Sequence, residues 1–402
     1  MGTGSAAAAA LNLPENGYEA HVYASIGQLS RERWTALFPD DAEGWDYYLA
    51  CEASPPPAFS FSAVGVHRGG ELVAAAPVFR LSYRLDTPMQ GAWASLGEWL
   101  NRYVPRLVNL PVMGLGSPLA DRCHLGFSPR LRTDEKAAAM RALLAALDAH
   151  AAREGVPILA VKDLAERDLA GADAALADAR FTRVPSLPVA VLDLPFASEE
   201  AYLASLSPAT RKDIRRKLKT AANVRVEIRT SIAGIESDIV SLYDETRAQS
   251  GFDYGDFERL APLYFRRVTE GLEGRAAVVL YWHGEDLIGF NLLLLEPDRI
   301  IDKFIGMRYP QARDHNLYVL SWMNNVRLCL ARGIRQMQTG QTAYSSKLRF
   351  GSRLEGSWVY FKHRGRVINR LFRTFGPLMA FDKMDPDLAA RAKRKPVPAL
   401  AD

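Results

Sequence analysis

One pattern written twice constrains this chain more than any single residue does. His67–Phe79 (HRGGELVAAAPVF) and Trp282–Leu294 (WHGEDLIGFNLLL) share a layout in which a strand ends, Gly69 or Gly284 turns, an acid follows and an apolar strand leaves. Each copy is followed by a helical run that passes through a glycine into a new strand, at Ala152-Arg153-Glu154-Gly155-Val156 and at Leu330-Ala331-Arg332-Gly333-Ile334. The anchoring glycines lie 86 residues apart in the first half and 49 in the second, which gives the first half an insertion of 37 residues. Two similar units in tandem predict a duplicated fold.

The bulk properties agree with two domains. A chain of 402 residues with 48% hydrophobic content can bury two substantial cores. Apolar runs such as Ala276–Tyr281 and Leu292–Leu295 are strand-sized, far below the ~20 residues that a membrane span requires. The N-terminus MGTGSAAAAALNLP lacks a basic stretch and has Ala6 where myristoylation needs Ser or Thr, so the cytoplasm is the expected location. Cys51, Cys123 and Cys329 fit no metal spacing or disulfide framework and read as buried thiols. The charge excess of +4 collects in Arg211–Lys219, Lys362–Arg373 and Arg391–Lys395, which makes anionic partners plausible.

Periodicity then orders the elements. In the first half, helices at Ser30–Leu37 and Trp45–Ala53 precede the hairpin. A strand at Leu107–Gly114, a helix at Thr133–Arg153 and a strand at Pro157–Val161 follow it. Asp168–Ala179 reads as a helix and Val189–Leu194 as a strand. Pro195–Arg275 reads as mostly helical: Ser207-Pro208 is a strong helix start, and Ile235–Ser250 and Phe257–Glu270 are amphipathic. The second copy runs as strands at Ala276–Trp282, Leu287–Leu295 and Ile300–Met307, a helix at Asn316–Ala331 and a strand at Arg335–Thr339. A short helix at Ser345–Phe350 and a strand at Ser357–His363 close it. The predicted class is α+β, with a mixed, mostly antiparallel sheet flanked by helices in each unit. The units span 1–195, with an insertion at about 82–125, and 275–390. A helical connector at 196–274 belongs to the second unit, and 391–402 is expected to be a disordered tail.

The order of elements resembles the GNAT-type N-acetyltransferase fold, and two copies joined by a helical segment resemble the Fem-type transferases and their acetyltransferase-like relatives. Ser207–Ala221 (SPATRKDIRRKLKTA), Asp302–Leu320 (DKFIGMRYPQARDHNLYVL) and Thr339–Gly351 (TGQTAYSSKLRFG) carry the resemblance. It implies a strand that splays from its neighbour before the central helix, with the helix N-terminus meeting an acyl donor's pyrophosphate. The superfamily's phosphate loop has glycines that are absent here: the slot reads Gln311-Ala312-Arg313-Asp314-His315-Asn316, so only Gln311 matches. The first copy offers Arg130–Glu135, also without glycine. That departure leaves the donor open between acyl-CoA and the aminoacyl-tRNA of Fem transferases.

Amide formation needs a base and a group to protonate the leaving atom. The resemblance makes His315, Tyr344 and Asp302 the catalytic candidates and Gln311, Arg313, Asn316, Gln341 and Lys347 the donor-binding ones. Lys303, Arg211 and Arg215 are candidates for acceptor or anion binding. His315 reads equally as a helix-start residue that only packs, Asp302 and Lys303 as a structural pair, and Ser345 as a cap beside a solvated Lys347. The run 364–381 combines Val367, Ile368, Leu371, Phe372, Phe375 and Phe381 with arginines, a pattern that suits either docking on the second domain or an anionic membrane surface. Three readings follow: an acyl-CoA-dependent N-acyltransferase with no tightly bound cofactor or metal and an amine acceptor such as a sphingoid base, a tRNA-dependent transferase, and a non-catalytic tandem binding module. The one working site is expected in the second copy, with the first as scaffold and as a wall of the acceptor cleft.

Overall fold

The computed structural model describes residues 17–56, 58–84, 109–249, 259–376, 385 and 387–389. Most of the expected insertion and the whole of the expected tail lie outside the described residues. The first unit runs β1 (Tyr18–Tyr23), α1 (Arg31–Leu37), α2 (Trp45–Glu52), β2 (Phe59–Arg68), β3 (Glu71–Arg84), β4 (Asn109–Leu115), β5 (Gly126–Phe127), α3 (Thr133–Arg153), β6 (Ile158–Ala165), α4 (Asp173–Asp178) and β7 (Thr182–Pro185). The chain continues through β8 (Val189–Asp193), α5 (Glu199–Ser205), α6 (Pro208–Thr220), β9 (Arg225–Arg229), α7 (Glu236–Gln249), α8 (Tyr264–Gly271), β10 (Ala276–His283), β11 (Asp286–Leu295) and β12 (Arg299–Met307). It ends with α9 (Gln311–Asp314), α10 (Leu317–Arg332), β13 (Gln336–Gln338), α11 (Tyr344–Arg349), β14 (Arg353–Glu355), β15 (Ser357–His363) and α12 (Arg366–Phe375).

Local signals explain many of the boundaries. Ser30 caps α1 by accepting from the Arg33 amide, and Ser207 caps α6 by accepting from the Thr210 amide, with Pro208 at the first helical position. Two boundaries differ from the sequence reading. The region read as mostly helical contains the edge strand β9, paired antiparallel with β10, and α11 begins at Tyr344, so Ser345 is not its cap. Instead the Ser345 amide donates to Asp387 Oδ2 at 2.8 Å.

The doubled pattern yields two sheets with the same parallel centre. One orders β1-β2-β3-β4-β6-β15-β7, with β5 beside β3, and the other orders β14-β8-β13-β12-β11-β10-β9. Among the described residues only β4 with β6 and β12 with β13 pair in parallel, joined across by α3 and α10. The two remaining strands change places. β8, from the first half, lies between β13 and β14, while β15, from the second half, lies between β6 and β7. Periodicity had put β15 with its own half, because a period of two marks a strand without marking its partner.

The cores follow this exchange. α3 packs Met140, Leu143, Leu144 and Leu147 on the first sheet, and α10 packs Trp322, Met323 and Val326 on the second. A third core joins the units, with Trp34, Tyr47 and Tyr48 of α1 and α2 against Leu242, Tyr264, Phe265 and Phe290. Each such buried aromatic contributes about 2 kcal/mol, so this seam is a structural core rather than a loose domain contact.

Candidate active site

The site begins where β12 leaves β13. The two strands pair over Arg299–Ile301 against Gln336–Gln338 and no further, so the flank of β12 from Asp302 onward is uncovered. Ile300 and Ile301 have no exposed surface, whereas residues 302–305 each keep some. This is the splay that the sequence predicts.

A bulge at the same place sorts the side chains. Against β11, Leu293 pairs with Asp302 but Leu292 pairs with Phe304, leaving Lys303 as the extra residue. Asp302 therefore faces α10, while Lys303 and Phe304 both face the seam between units. There Lys303 Nζ meets Glu43 Oε1 at 2.5 Å, with both side chains buried and the Tyr47 ring 5.6 Å away. Burial pulls on the Lys303 ammonium, but the Glu43 and Asp121 carboxylates outweigh it and hold the group above its usual range. The pair Asp302–Lys303 read from the sequence is thus divided between opposite faces.

Around Asp302 the sheet and α10 enclose a polar chamber. Asn291 Nδ2 donates to one carboxylate oxygen at 2.9 Å and Asn325 Nδ2 to the other at 3.1 Å. Burial pushes the Asp302 carboxyl up to about 6, against the pull of Asn291, Lys347 and Asn325. Its charge in turn adds to the burial that raises the phenols of Tyr281 and Tyr318. Tyr281, Asn291 and Asp302 come from three adjacent strands, and Tyr318 and Asn325 stand two turns apart on α10. Four buried polar atoms here meet no hydrogen-bond partner among the described residues: the Tyr281 and Tyr318 hydroxyls and the Oδ1 atoms of Asn291 and Asn325. Their hydrogen-bonding capacity is free for a ligand or for water.

Lys347 completes the chamber. It is only 6% exposed, and its Nζ donates to the carbonyls of Gly340 and Gln341 at 3.3 and 2.9 Å. Burial pulls its ammonium down to about 8 while Asp121, Asp302 and Asp385 oppose the shift. The turn that supplies these carbonyls is strained, with Thr342 and Ala343 at φ +67° and +48°. The sequence reading of a solvated Lys347 does not hold.

An open cleft of about 350 Å³ adjoins the chamber through Tyr318 and is lined also by Lys217, Gln249, Tyr309, Arg313 and Asn316. It lies at the N-terminal end of α10, where the Leu317 and Tyr318 amides meet no protein acceptor among the described residues. Asn316 sits at φ +51°, a left-handed position that asparagine tolerates better than most side chains, so the missing glycine does not distort this turn. Residues 311–314 form a helical turn before it instead of an open glycine loop.

The other predicted residues are dispersed. His315 packs on His283, ring centroids 4.3 Å apart and planes tilted by 37°, at the far end of the β10–β11 hairpin, and its Nδ1 meets no partner among the described residues. No described contact joins it to Asp302, Tyr344 or Lys347. Tyr344 is fully buried and donates to the Pro188 carbonyl at 2.7 Å. Gln341 donates to the Leu187 carbonyl at 2.8 Å. Arg313 stacks over Tyr309 and donates to Gln249, and the Gln311 side-chain oxygen is buried without a partner. Arg211 donates to the Ala204 carbonyl and Arg215 is exposed; Lys217 is the cation of α6 that lines the cleft. Sequence reasoning missed Tyr318, Asn291 and Asn325. The signal for Asn325 was present, as a polar residue in the buried stripe Tyr318, Trp322, Asn325 and Cys329.

Residues 208–367 match the family model described as Acetyltransferase (GNAT) domain. Those residues are a GNAT domain. The whole chain superposes on a tandem GNAT protein from the clavulanic acid biosynthesis pathway, at 15% identity and TM-score 0.51, covering 87% of this chain and 99% of that one. It is as similar in fold to a C-terminal domain assigned to a lysylphosphatidylglycerol synthetase of Agrobacterium fabrum, at 12% identity and TM-score 0.51, covering 87% and 97%. FemX follows at 13% identity and TM-score 0.50, covering 79% and 91%. No curated protein sequence matches the chain. These likenesses give a tandem GNAT fold of the Fem-like kind, and residues 208–367 carry the acetyltransferase match within it.

Proposed function

We propose that the protein transfers an acyl group from an acyl-CoA thioester to the nitrogen of a long-chain or lipid amine. The observation that carries this is the buried polar cluster around Asp302, which lies in the strand splay and is next to Tyr318, a residue that also lines the cleft at a helix N-terminus. Lys217, Arg313 and the free amides of α10 suit the donor's phosphates, and the splayed flank of β12 suits the arm that leads to the thioester. Asp302, with a carboxyl near 6, is ionised at neutral pH yet basic enough to take a proton from the incoming ammonium. The freed amine forms the C–N bond, the tetrahedral adduct collapses with loss of the C–S bond, and the Tyr318 hydroxyl gives the thiolate its proton while its oxygen takes the surplus proton from the new amide nitrogen, so that Tyr318 ends neutral. Asp302, rather than the distant His315, is the base in this scheme.

The lipid acceptor is supported by α12. Val367 is 79% exposed, and Ile368, Leu371 and Phe375 share its outward face, while Phe372 packs inward on Phe361 and His363. Arg366, Arg370 and Arg373 line the flank of that face, a combination that suits adsorption to the anionic inner face of a membrane. No helix among the described residues is long and apolar enough to cross one.

Aminoacyl-tRNA remains the second donor reading, supported by Lys212, Arg215 and Lys219, exposed on α6 beside the cleft with no ion pair among the described residues. One assay separates the two: the protein is incubated with acyl-CoAs and amines while free thiol is followed, and then with charged tRNA. Thiol release that requires the amine supports acyl-CoA. Transfer with charged tRNA alone supports the second donor, and failure of both removes the acyltransferase reading of this chamber.

A further inference from the structure

The first unit repeats the parallel strand pair and its crossover helix, and there the chain fills its own slot. β4 pairs with β6 over Val112–Leu115 against Ile158–Val161, and the segment 116–124 then folds back into the gap beyond. The Cys123 amide donates to the Asp163 carbonyl at 2.8 Å, Lys162 Nζ to the Ala120 carbonyl at 3.0 Å, and the Tyr47 hydroxyl to the Leu119 carbonyl at 2.6 Å. Ser117, Leu119, Ala120 and Cys123 are buried. A segment held from both sides leaves no room for a donor where the second unit has its chamber.

Within this plug Asp121 is turned toward the second unit. Its Oδ2 accepts from Gln338 Nε2 at 3.1 Å, at the last residue where β13 still pairs with β12. The same oxygen lies 3.4 Å from where a side chain on Gly340 would begin, and Gly340 sits at φ +72°. Both facts hold that position to glycine and keep the carboxylate close to the turn that carries the Lys347 carbonyl partners. The Asp121, Asp302 and Asp385 carboxylates all act on the Lys347 ammonium against its burial, and Asp121 acts on Lys303 as well. A carboxylate has about four lone-pair sites, and among the described residues Asp121 uses one, on Gln338.

We propose that Asp121, contributed by the plugged first unit, is the acceptor-selecting residue of the second unit's site and binds the ammonium of the incoming amine. The plug thus has two effects: it silences one copy of the fold and equips the other. This rests on the acyltransferase reading for its acceptor class, so the test separates binding from transfer. Equilibrium binding of dodecylamine, a cation at neutral pH, is compared with that of O-dodecylhydroxylamine, uncharged and of similar length, for the wild type and Asp121→Asn. The amide keeps an oxygen for Gln338 but drops the charge that acts on Lys303 and Lys347, so urea unfolding of the variant is measured alongside to show that the fold is kept. Loss of one charge-assisted hydrogen bond is expected to weaken dodecylamine about tenfold or more while leaving the uncharged probe unchanged. Equal weakening of both probes, unchanged affinity for dodecylamine, or no dodecylamine binding by the wild type overturns the assignment. Selective weakening without acyl transfer from any donor leaves Asp121 in place and refutes the acyltransferase reading alone.

Discussion

Replacing Asp302 by asparagine separates its cost to the fold from its use to the chemistry. The carboxyl moves from an ordinary value of 3.8 to about 6 on folding. A raised acid is stabilising only while protonated: its contribution is fully present below the unfolded value and is lost as pH rises through about 6. About two pKa units correspond to a loss of about 3 kcal/mol by pH 8, an upper bound because a chamber next to an open cleft admits some solvent. Asparagine carries no charge to desolvate, and the surroundings can accept it. Asn291 and Asn325 now donate to the two carboxylate oxygens while their own Oδ1 atoms are unpartnered, so a flip of either amide presents an acceptor to the new NH2 group. Urea unfolding of both proteins at pH 4 and pH 8 measures the difference directly. The Asp302→Asn variant should gain about 1–3 kcal/mol relative to wild type between those pH values, while amine-dependent transfer falls about 10²- to 10⁴-fold. A relative stability independent of pH would refute the buried, ionised carboxylate, and undiminished transfer would refute its role as base.

Tyr318→Phe removes a hydroxyl with no partner, so stability should stay within about 0.5 kcal/mol while turnover falls about 10²-fold; denaturation and initial rates check both halves. In the seam, Lys303→Met or Glu43→Leu alone strands a buried charge and should cost about 3–5 kcal/mol, whereas the double replacement should cost less than either single one, as a double-mutant cycle by urea unfolding would show. On α12, Leu371→Glu changes an exposed residue and should alter the melting temperature little, yet it should abolish co-sedimentation with vesicles containing phosphatidylglycerol.

The sequence made the architecture legible because the repeated unit is local. Gly69 and Gly284 announce hairpins, and Ser207-Pro208 announces a helix, from a few consecutive residues. The site was legible in part for the same reason: Asp302 stands out as a charge in an apolar strand. Its surroundings were not, because Asn291, Tyr318 and Asn325 become a cluster only when three strands and a helix face meet. Adjacent strand residues alternate faces in any case, but the bulge at Lys303 was equally hidden, and it is what puts Lys303 and Phe304 on one face. His315 drew notice by residue type and helix position, and neither carries information on distance. The resemblance singles out Lys347 for donor binding, but its burial shows only when α11 is seen lying against β8 and the strained turn at Thr342-Ala343.

The exchanged strands give the asymmetry of the two copies a physical basis. Each sheet is completed by a strand from the other half: β15 pairs on both edges within the first sheet, and β8 on both edges within the second. Removing either half would leave interior strands with unpaired backbone groups, which is costly in a buried sheet. Once neither half can stand alone, the first is needed for the shape of both sheets whether or not its slot holds a ligand. Its slot can then be occupied by the segment 116–124 with no loss of fold. The same covalent linkage holds Asp121 and Glu43 of the first half against Gln338 and Lys303 of the second at fixed distance. A site assembled across a seam needs that rigidity, because a carboxylate selects an ammonium only while its position relative to the reacting chamber is fixed. Duplication here therefore acts less as a doubling of sites than as a way of building one site with walls from two units.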